Sequence, residues 1–173
     1  GFDIDISKLL NYGQPNTIAV HASTSGPMNS RWYTGGGLFR DVNLITTPAD
    51  IYFARHPLFV TTRANHLVDL QIEVANSTKR NDIKLRTTIA DQQGNIVYDK
   101  TADMHFNRKM RTNELKWETI DIAEPKLWSC ETPHLYTATV TIHDDNGNET
   151  DRTSTRFGIR TIEIGPDFGL KVN

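Results

Sequence analysis

The sequence predicts an all-β protein, most of it one antiparallel β-sandwich. Three observations carry that prediction. Apolar residues alternate with polar ones at a period of two in several separate stretches, most clearly Val68, Leu70, Ile72 and Val74 against Asp69, Gln71 and Glu73. Turn-forming clusters separate these stretches at steady spacing, at Asn76 to Asp82, Asp91 to Asn95 and Asp144 to Asn148. No stretch sustains the 3.6-residue period of an amphipathic helix.

In chain order, Pro48-Ala49-Asp50 marks a boundary and the regular pattern begins at Ile51. Residues 68 to 74 form the first clear strand, and Ile83, Leu85, Thr87 and Ile89 repeat its alternation. Ile96 to Tyr98 opens the next, and Ala102, Met104 and Phe106 suggest another. Leu115, Trp117, Ile120 and Ile122 share one face only if the strand is irregular near Glu118. Met104, Phe106 and Trp117 read as core packing rather than a cofactor box, because they sit at strand spacing, and no exposed aromatic platform is readable. Leu135 to His143 points Tyr136, Ala138, Val140 and Ile142 inward, and Asn146-Gly147 turns it into a hairpin with Glu149 to Gly158. About seven short strands over residues 48–160 indicate an immunoglobulin-like sandwich, without the Cys…Trp…Cys bridge of antibody domains. Trp128, in an irregular corner between Pro125 and Pro133, is expected to plug one end of it, and residues 161–173 read as a linker.

Residues 1–47 are different. Ile4 to Ile6, Thr17 to Ala22 and Leu38 to Thr46 suggest three strands, with a short helical turn at Ser7 to Gly13 and a loop from Ser23 to Ser30. Three strands and a long loop make poor material for an independent sheet. The loop ends in the most unusual stretch of the chain. Ser30, Arg31, Trp32 and Tyr33 place a guanidinium fork and two amphipathic rings beside the run Gly35 to Gly37. One reading makes Arg31 an ion-pair partner and Trp32 a filler of a domain junction; the other puts Ser30, Arg31 and Trp32 at a ligand pocket. Arg40 and Asp41 read as a structural ion pair.

Composition narrows the function. At 173 residues the chain can bury a sizeable core. A formal charge of −2 with dispersed Lys and Arg gives no footprint for nucleic acid. No apolar run approaches the roughly 20 residues that span a bilayer, and no basic-then-apolar leader opens the chain, so no membrane partner is expected. The compartment stays open between periplasmic or secreted and cytoplasmic. Cys130, the one cysteine, excludes an internal disulfide, and the six histidines lack zinc-site spacing, so no metal or cofactor is expected in this chain. Cys130 reads as inert packing rather than a nucleophile, since no histidine partnership is visible. Asn76-Ser77-Thr78 and Asn148-Glu149-Thr150 match the glycosylation sequon, in turns.

Four motifs, in order along nearly the whole chain, carry a resemblance. Ser30-Arg31-Trp32-Tyr33-Thr34-Gly35-Gly36-Gly37-Leu38-Phe39-Arg40-Asp41-Val42 is similar to the segment that ends the sugar-binding domain of glycoside hydrolase family 2 enzymes, the β-galactosidases, β-glucuronidases and β-mannosidases. Phe2-Asp3-Ile4-Asp5-Ile6-Ser7, with Leu10, Asn16 and Ile18-Ala19-Val20, resembles an earlier part of that domain. Leu127-Trp128-Ser129-Cys130-Glu131-Thr132-Pro133-His134-Leu135-Tyr136 resembles the family's Leu-Trp-Ser-Pro-Glu-x-Pro-x-Leu-Tyr, with cysteine in place of proline, and Phe157-Gly158-Ile159-Arg160 its Phe-Gly-x-Arg.

The resemblance implies that residues 1–47 are the C-terminal strands of a truncated jelly-roll sugar-binding domain, and that Phe168 to Asn173 leads towards a (β/α)₈ catalytic barrel. The parent would be a retaining β-glycosidase, a β-galactosidase by expectation, with both catalytic glutamates in the barrel; no catalytic residue is assigned here. The parent would use a monovalent or divalent cation in some family members. Some of them reach substrate or sodium with an acid two places before the motif tryptophan, a position held here by Ser30. Expected partners are therefore the barrel, a β-galactoside-type carbohydrate in the whole enzyme, and a second copy of the chain through residues 1–47. The competing expectation is a free-standing carbohydrate-binding or protein-interaction module, since one sandwich hosts many functions.

Overall fold

The computed structural model describes residues 3–23, 26, 36–48, 50–78, 80, 82–106 and 114–173. The chain divides into two compact units, Gly1–Ile45 and Thr46–Asn173. Among the described residues the second unit contains strands β1 (Ile51–Arg63), β2 (Leu67–Asn76), β3 (Asp82–Ala90), β4 (Ile96–His105), β5 (Glu114–Asp121), β6 (Tyr136–His143), β7 (Glu149–Phe157), β8 (Ile162–Gly165) and β9 (Gly169–Val172). All pairings are antiparallel. One sheet runs β1-β2-β5 and the other β4-β3-β6-β7, with β8-β9 a separate hairpin. This is the immunoglobulin-type order with the fourth strand on β3 rather than on β5.

The alternation seen in sequence builds the core. Val68, Leu70, Ile72 and Val74 of β2, Ile83, Leu85 and Ile89 of β3, and Tyr136, Ala138, Val140 and Ile142 of β6 are buried and join one cluster with Ile51, Phe53, Ile120, Phe157 and Ile159. Each of the Val, Leu, Ile and Phe side chains among them stabilises the fold by about 1.5–3 kcal/mol relative to exposure. Tyr136 stacks on Phe157 with ring centroids 5.9 Å apart, and its hydroxyl accepts the Lys126 N–H at 2.8 Å. That bond ties the start of β6 back to the preceding corner, as in a tyrosine corner.

Two hairpin loops share one design. Asp91-Gln92-Gln93-Gly94-Asn95 and Asp144-Asp145-Asn146-Gly147-Asn148 each place an aspartate first, where its carboxylate accepts backbone N–H groups two and four residues on and the final asparagine's amide. Gly94 (φ 87°) and Gly147 (φ 84°) take the left-handed position that closes each turn. These bonds hold Asp91 and Asp144 below the usual carboxylate range, with the asparagine side-chain bond the largest cause in each.

β1 is broken in the middle. Phe53 pairs with Val74 and Leu58 with Ile72, so Ala54 to Pro57 bulge out, with His56 at φ 55°. Pro57 lacks the N–H that a continuous ladder needs, and the Phe53 N–H donates to Asp151 Oδ2 of β7 at 2.8 Å.

Several expectations are corrected. β5 pairs with β2 in unbroken register from Glu114 to Asp121, with no irregularity at Glu118. An unbroken strand must put Leu115 and Trp117 on the face opposite Ile120 and Ile122. Met104 and Phe106 pack in or against the core, but Trp117 stands outside, 66% exposed. The inward position goes to Glu118, whose carboxylate accepts the Tyr98 hydroxyl at 2.7 Å and the buried Thr87 hydroxyl at 3.1 Å. Burial, and then this bond, push the Tyr98 phenol well above its ordinary value. Residues 161–173, expected as a linker, contain the hairpin β8-β9.

In the first unit the strands expected at Ile4 to Ile6, Thr17 to Ala22 and Leu38 to Thr46 are not formed among the described residues. A strand exists only where a neighbour takes its N–H and C=O groups. Ile18, Val20, Phe39, Val42 and Leu44 are accordingly exposed. A turn does form at Ser7 to Leu9, closed by the Leu9 N–H on Ile6 O at 2.8 Å. Asn16 pins the next one through Asn11 and Gln14. The expected Arg40–Asp41 ion pair is absent; the Arg40 guanidinium lies over the Phe39 ring at 5.5 Å.

Candidate functional site

Ser30, Arg31 and Trp32, the candidate substrate contacts, lie outside the described residues. The described residues converge elsewhere, at one end of the sandwich. There the corner before β6 folds over the end of β7, and four residues of one motif divide the work. Phe157 and Ile159 enter the core, while Gly158 and Arg160 meet Trp128. A Cβ at Gly158 would sit 2.7 Å from Trp128 Cβ and 2.8 Å from Cγ and Cδ1, so only glycine admits the indole. The Arg160 guanidinium covers the ring from 4.7 Å, a cation–π contact. Trp128 itself is fixed by its N–H on Ile159 O at 2.8 Å and by a bridge to Pro133.

The same corner clips the terminal hairpin to the sandwich. Asn173 donates its N–H to Thr161 O (3.0 Å), accepts the Thr161 N–H on Oδ1 (3.1 Å), and donates Nδ2–H to Trp128 O (3.0 Å). Thr62 of β1 adds a hydroxyl bond to Arg160 O at 2.9 Å. Beyond the clip, the register pairs Ile162 with Val172 and Ile164 with Leu170 on one face, and Glu163 with Lys171 on the other. The apolar face is open: Ile164 is 82% and Leu170 68% exposed. The Phe168 ring packs over Gly165 at the hairpin's tip.

Between hairpin and sandwich runs an open groove of about 630 Å³, bordered by Val60, Trp128, Leu135, Arg156, Arg160 and Ile162. Its described lining offers guanidinium groups, threonine hydroxyls and apolar surface but no carboxylate, thiol or imidazole. Such a set can hold a surface or a ligand; it cannot supply the paired carboxyl groups of glycoside hydrolysis. Glu118 is committed to Tyr98 and Thr87, and Glu149 to Arg152 at 2.7 Å. Among the described residues no group of three or more His, Cys, Asp or Glu is placed to hold a metal ion. Cys130, expected as packing, is exposed in the turn that Ser129 and Thr132 close.

The region built around this corner matches a known family. The model for glycosyl hydrolases family 2 fits residues 54–160, which contain the sandwich, the Trp128 corner and Phe157-Gly158-Ile159-Arg160. The chain belongs to glycosyl hydrolases family 2. It is 27% identical over 177 residues to a β-galactosidase of Bacteroides ovatus, covering 99% of this chain and 20% of that protein. To a β-glucuronidase of Bacteroides fragilis it is 25% identical over 189 residues, covering 99% of this chain and 26% of that protein. A crystal structure of a family 2 member from Bacteroides cellulosilyticus superposes with a TM-score of 0.65 at 25% identity, over 71% of this chain and 16% of that one. The chain thus spans roughly a fifth of the length of such relatives.

Two features escaped sequence reading. The hairpin was signalled by Ile162/Ile164 and Leu170/Val172 alternating on either side of Gly165-Pro166-Asp167-Phe168-Gly169. The exposure of Trp117 had no such signal, because Leu115-x-Trp117 and Ile120-x-Ile122 fit two registers equally well.

Proposed function

We propose that this chain is the non-catalytic accessory part of a retaining β-glycosidase acting on β-galactosides, and that it supports a (β/α)₈ catalytic barrel. Residues 48–160 serve as the sandwich domain, residues 1–47 as the end of a jelly-roll sugar-binding domain, and Ser30, Arg31 and Trp32 as a loop at the active-site mouth. The catalytic glutamates and any bound cation belong to the barrel. The observation that carries this reading is the hairpin β8-β9, clipped to the sandwich by Asn173 while its Ile162, Ile164, Leu170 and Val172 face stays uncovered. A two-stranded hairpin is marginally stable alone and needs a surface against that face. The relatives' names and their length relative to this chain support a glycosidase barrel as that surface.

The 173-residue chain alone should hydrolyse neither a nitrophenyl β-galactoside nor a nitrophenyl β-glucuronide. Turnover that survives purification to homogeneity would contradict the reading.

A further inference from the structure

The outer face of the β1-β2-β5 sheet carries side chains that the buttressing role does not use. Register places Phe59 of β1, Gln71 of β2 and Trp117 of β5 in one row straight across the sheet. Phe59 is 60% and Trp117 66% exposed, although rings of this size normally bury most of their surface. Two strand intervals separate them by about 10 Å. The β2-β5 register is unbroken and the β1-β2 register is regular from Leu58 onward, so the row lies on flat sheet. Gln71, between the rings, has an amide with no hydrogen-bond partner among the described residues.

The next row has a different character. Thr61, Asp69 and Thr119 are in register there, with Asp69 held by Arg63 at 2.7 Å and by the Thr119 hydroxyl at 2.6 Å. Leu115 extends the apolar strip along β5, opposite Glu73. The face therefore presents two rings about two strands apart, a primary amide between them and fixed hydroxyl and carboxylate groups alongside.

We propose that this face is a binding platform for a neutral β-linked oligosaccharide. A pyranose has an apolar C–H face and an equatorial rim of hydroxyls, so it stacks on an aromatic ring while its rim bonds to amides and carboxylates. In an extended β-linked chain each sugar advances by about one strand interval, so the rings about 10 Å apart stack on alternate sugars, one on Trp117 and the next but one on Phe59, with Gln71 beneath the sugar between them. Arg63 neutralises Asp69 alongside the rings, so among the described residues the row holds no unpaired cation for a uronic-acid carboxylate and suits a neutral glycan. A protein surface covering the same strip is the competing occupant.

The test uses the full 173-residue chain, titrated calorimetrically with β-1,4-linked galactohexaose and cellohexaose, with indole fluorescence followed in parallel. The expected result is binding to at least one of them with a tryptophan emission change. Trp117→Ala should weaken it about tenfold or more and Phe59→Ala several-fold. Both substituted rings are exposed, so circular dichroism of the variants should match the parent chain. Absence of binding by the folded parent chain to both hexaoses, or binding that Trp117→Ala leaves intact, would overturn the proposal. Acrylamide protection of Trp117 in a longer polypeptide carrying the barrel would equally overturn it, by assigning the strip to a protein neighbour.

Discussion

Gly158→Ala puts the Trp128 corner under the most direct strain. The added methyl would lie 2.7 Å from Trp128 Cβ and 2.8 Å from Cγ and Cδ1, all below the shortest ordinary carbon–carbon contact. Neither side can yield freely. The Trp128 backbone is bonded to Ile159 O and its ring is covered by Arg160, while Phe157 and Ile159 on either side of Gly158 are anchored in the core. Overpacking of this kind costs about 1–3 kcal/mol. For a unit of about 130 residues a cost near 2 kcal/mol lowers Tm by about 7 °C. Calorimetry or near-ultraviolet circular dichroism of the tryptophan band reads it. The double variant decides the cause: in a Trp128→Gly background, which removes Cβ as well as the ring, the clash has no partner, so adding Gly158→Ala should cost less than about 0.5 kcal/mol. A Tm for Gly158→Ala within about 1 °C of the parent, or full cost persisting without Trp128, would refute the close-approach argument.

Other outcomes follow from the same geometry. Glu118→Ala leaves the buried Thr87 hydroxyl and Tyr98 without their shared acceptor and should destabilise by about 1–3 kcal/mol in urea unfolding. Asp69, Asp99, Asp103 and Glu149 are each held below their ordinary values, first by hydrogen bonds from Arg63, Arg86, Lys84 and Arg152. Carboxyl groups depressed in the fold stabilise it above the unfolded values near 3.8 and 4.5 and lose that contribution as pH falls through the folded ones, so chemical denaturation should show a plateau above about pH 5 and a decline below pH 4. Exposed Leu38, Phe39, Val42, Leu44 and Ile45 predict concentration-dependent self-association, which sedimentation velocity would detect and which Phe39→Asp should reduce.

What was legible in the sequence was whatever period two determined alone. β2, β3 and β6 show it, because their inward residues are uninterrupted and a one-residue slip would expose all of them. β5 was misread because its outward Leu115 and Trp117 are as apolar as its inward Ile120 and Ile122, and the polar Glu118 lies inside. Only the hydroxyls of Thr87 and Tyr98, brought from β3 and β4, make that arrangement stable. The three strands read in residues 1–47 have suitable residues, yet pairing depends on a neighbour that local sequence does not supply. At the Trp128 corner the motifs were visible as words, but not that Gly158 is small because an indole lies on it, nor that Asn173 reaches back to Trp128.

The hairpin face Ile162, Ile164, Leu170 and Val172 is proposed as the surface by which this chain supports a catalytic barrel. The measurement is glycosidase activity of the longer polypeptide carrying the barrel, with and without Ile164→Asp plus Leu170→Asp, alongside Tm of the same double variant in the 173-residue chain. Both side chains are exposed here, so the expected result is a chain Tm within about 2 °C of the parent and a loss of most hydrolytic activity in the longer protein. Full activity in the longer protein with both aspartates in place would contradict it.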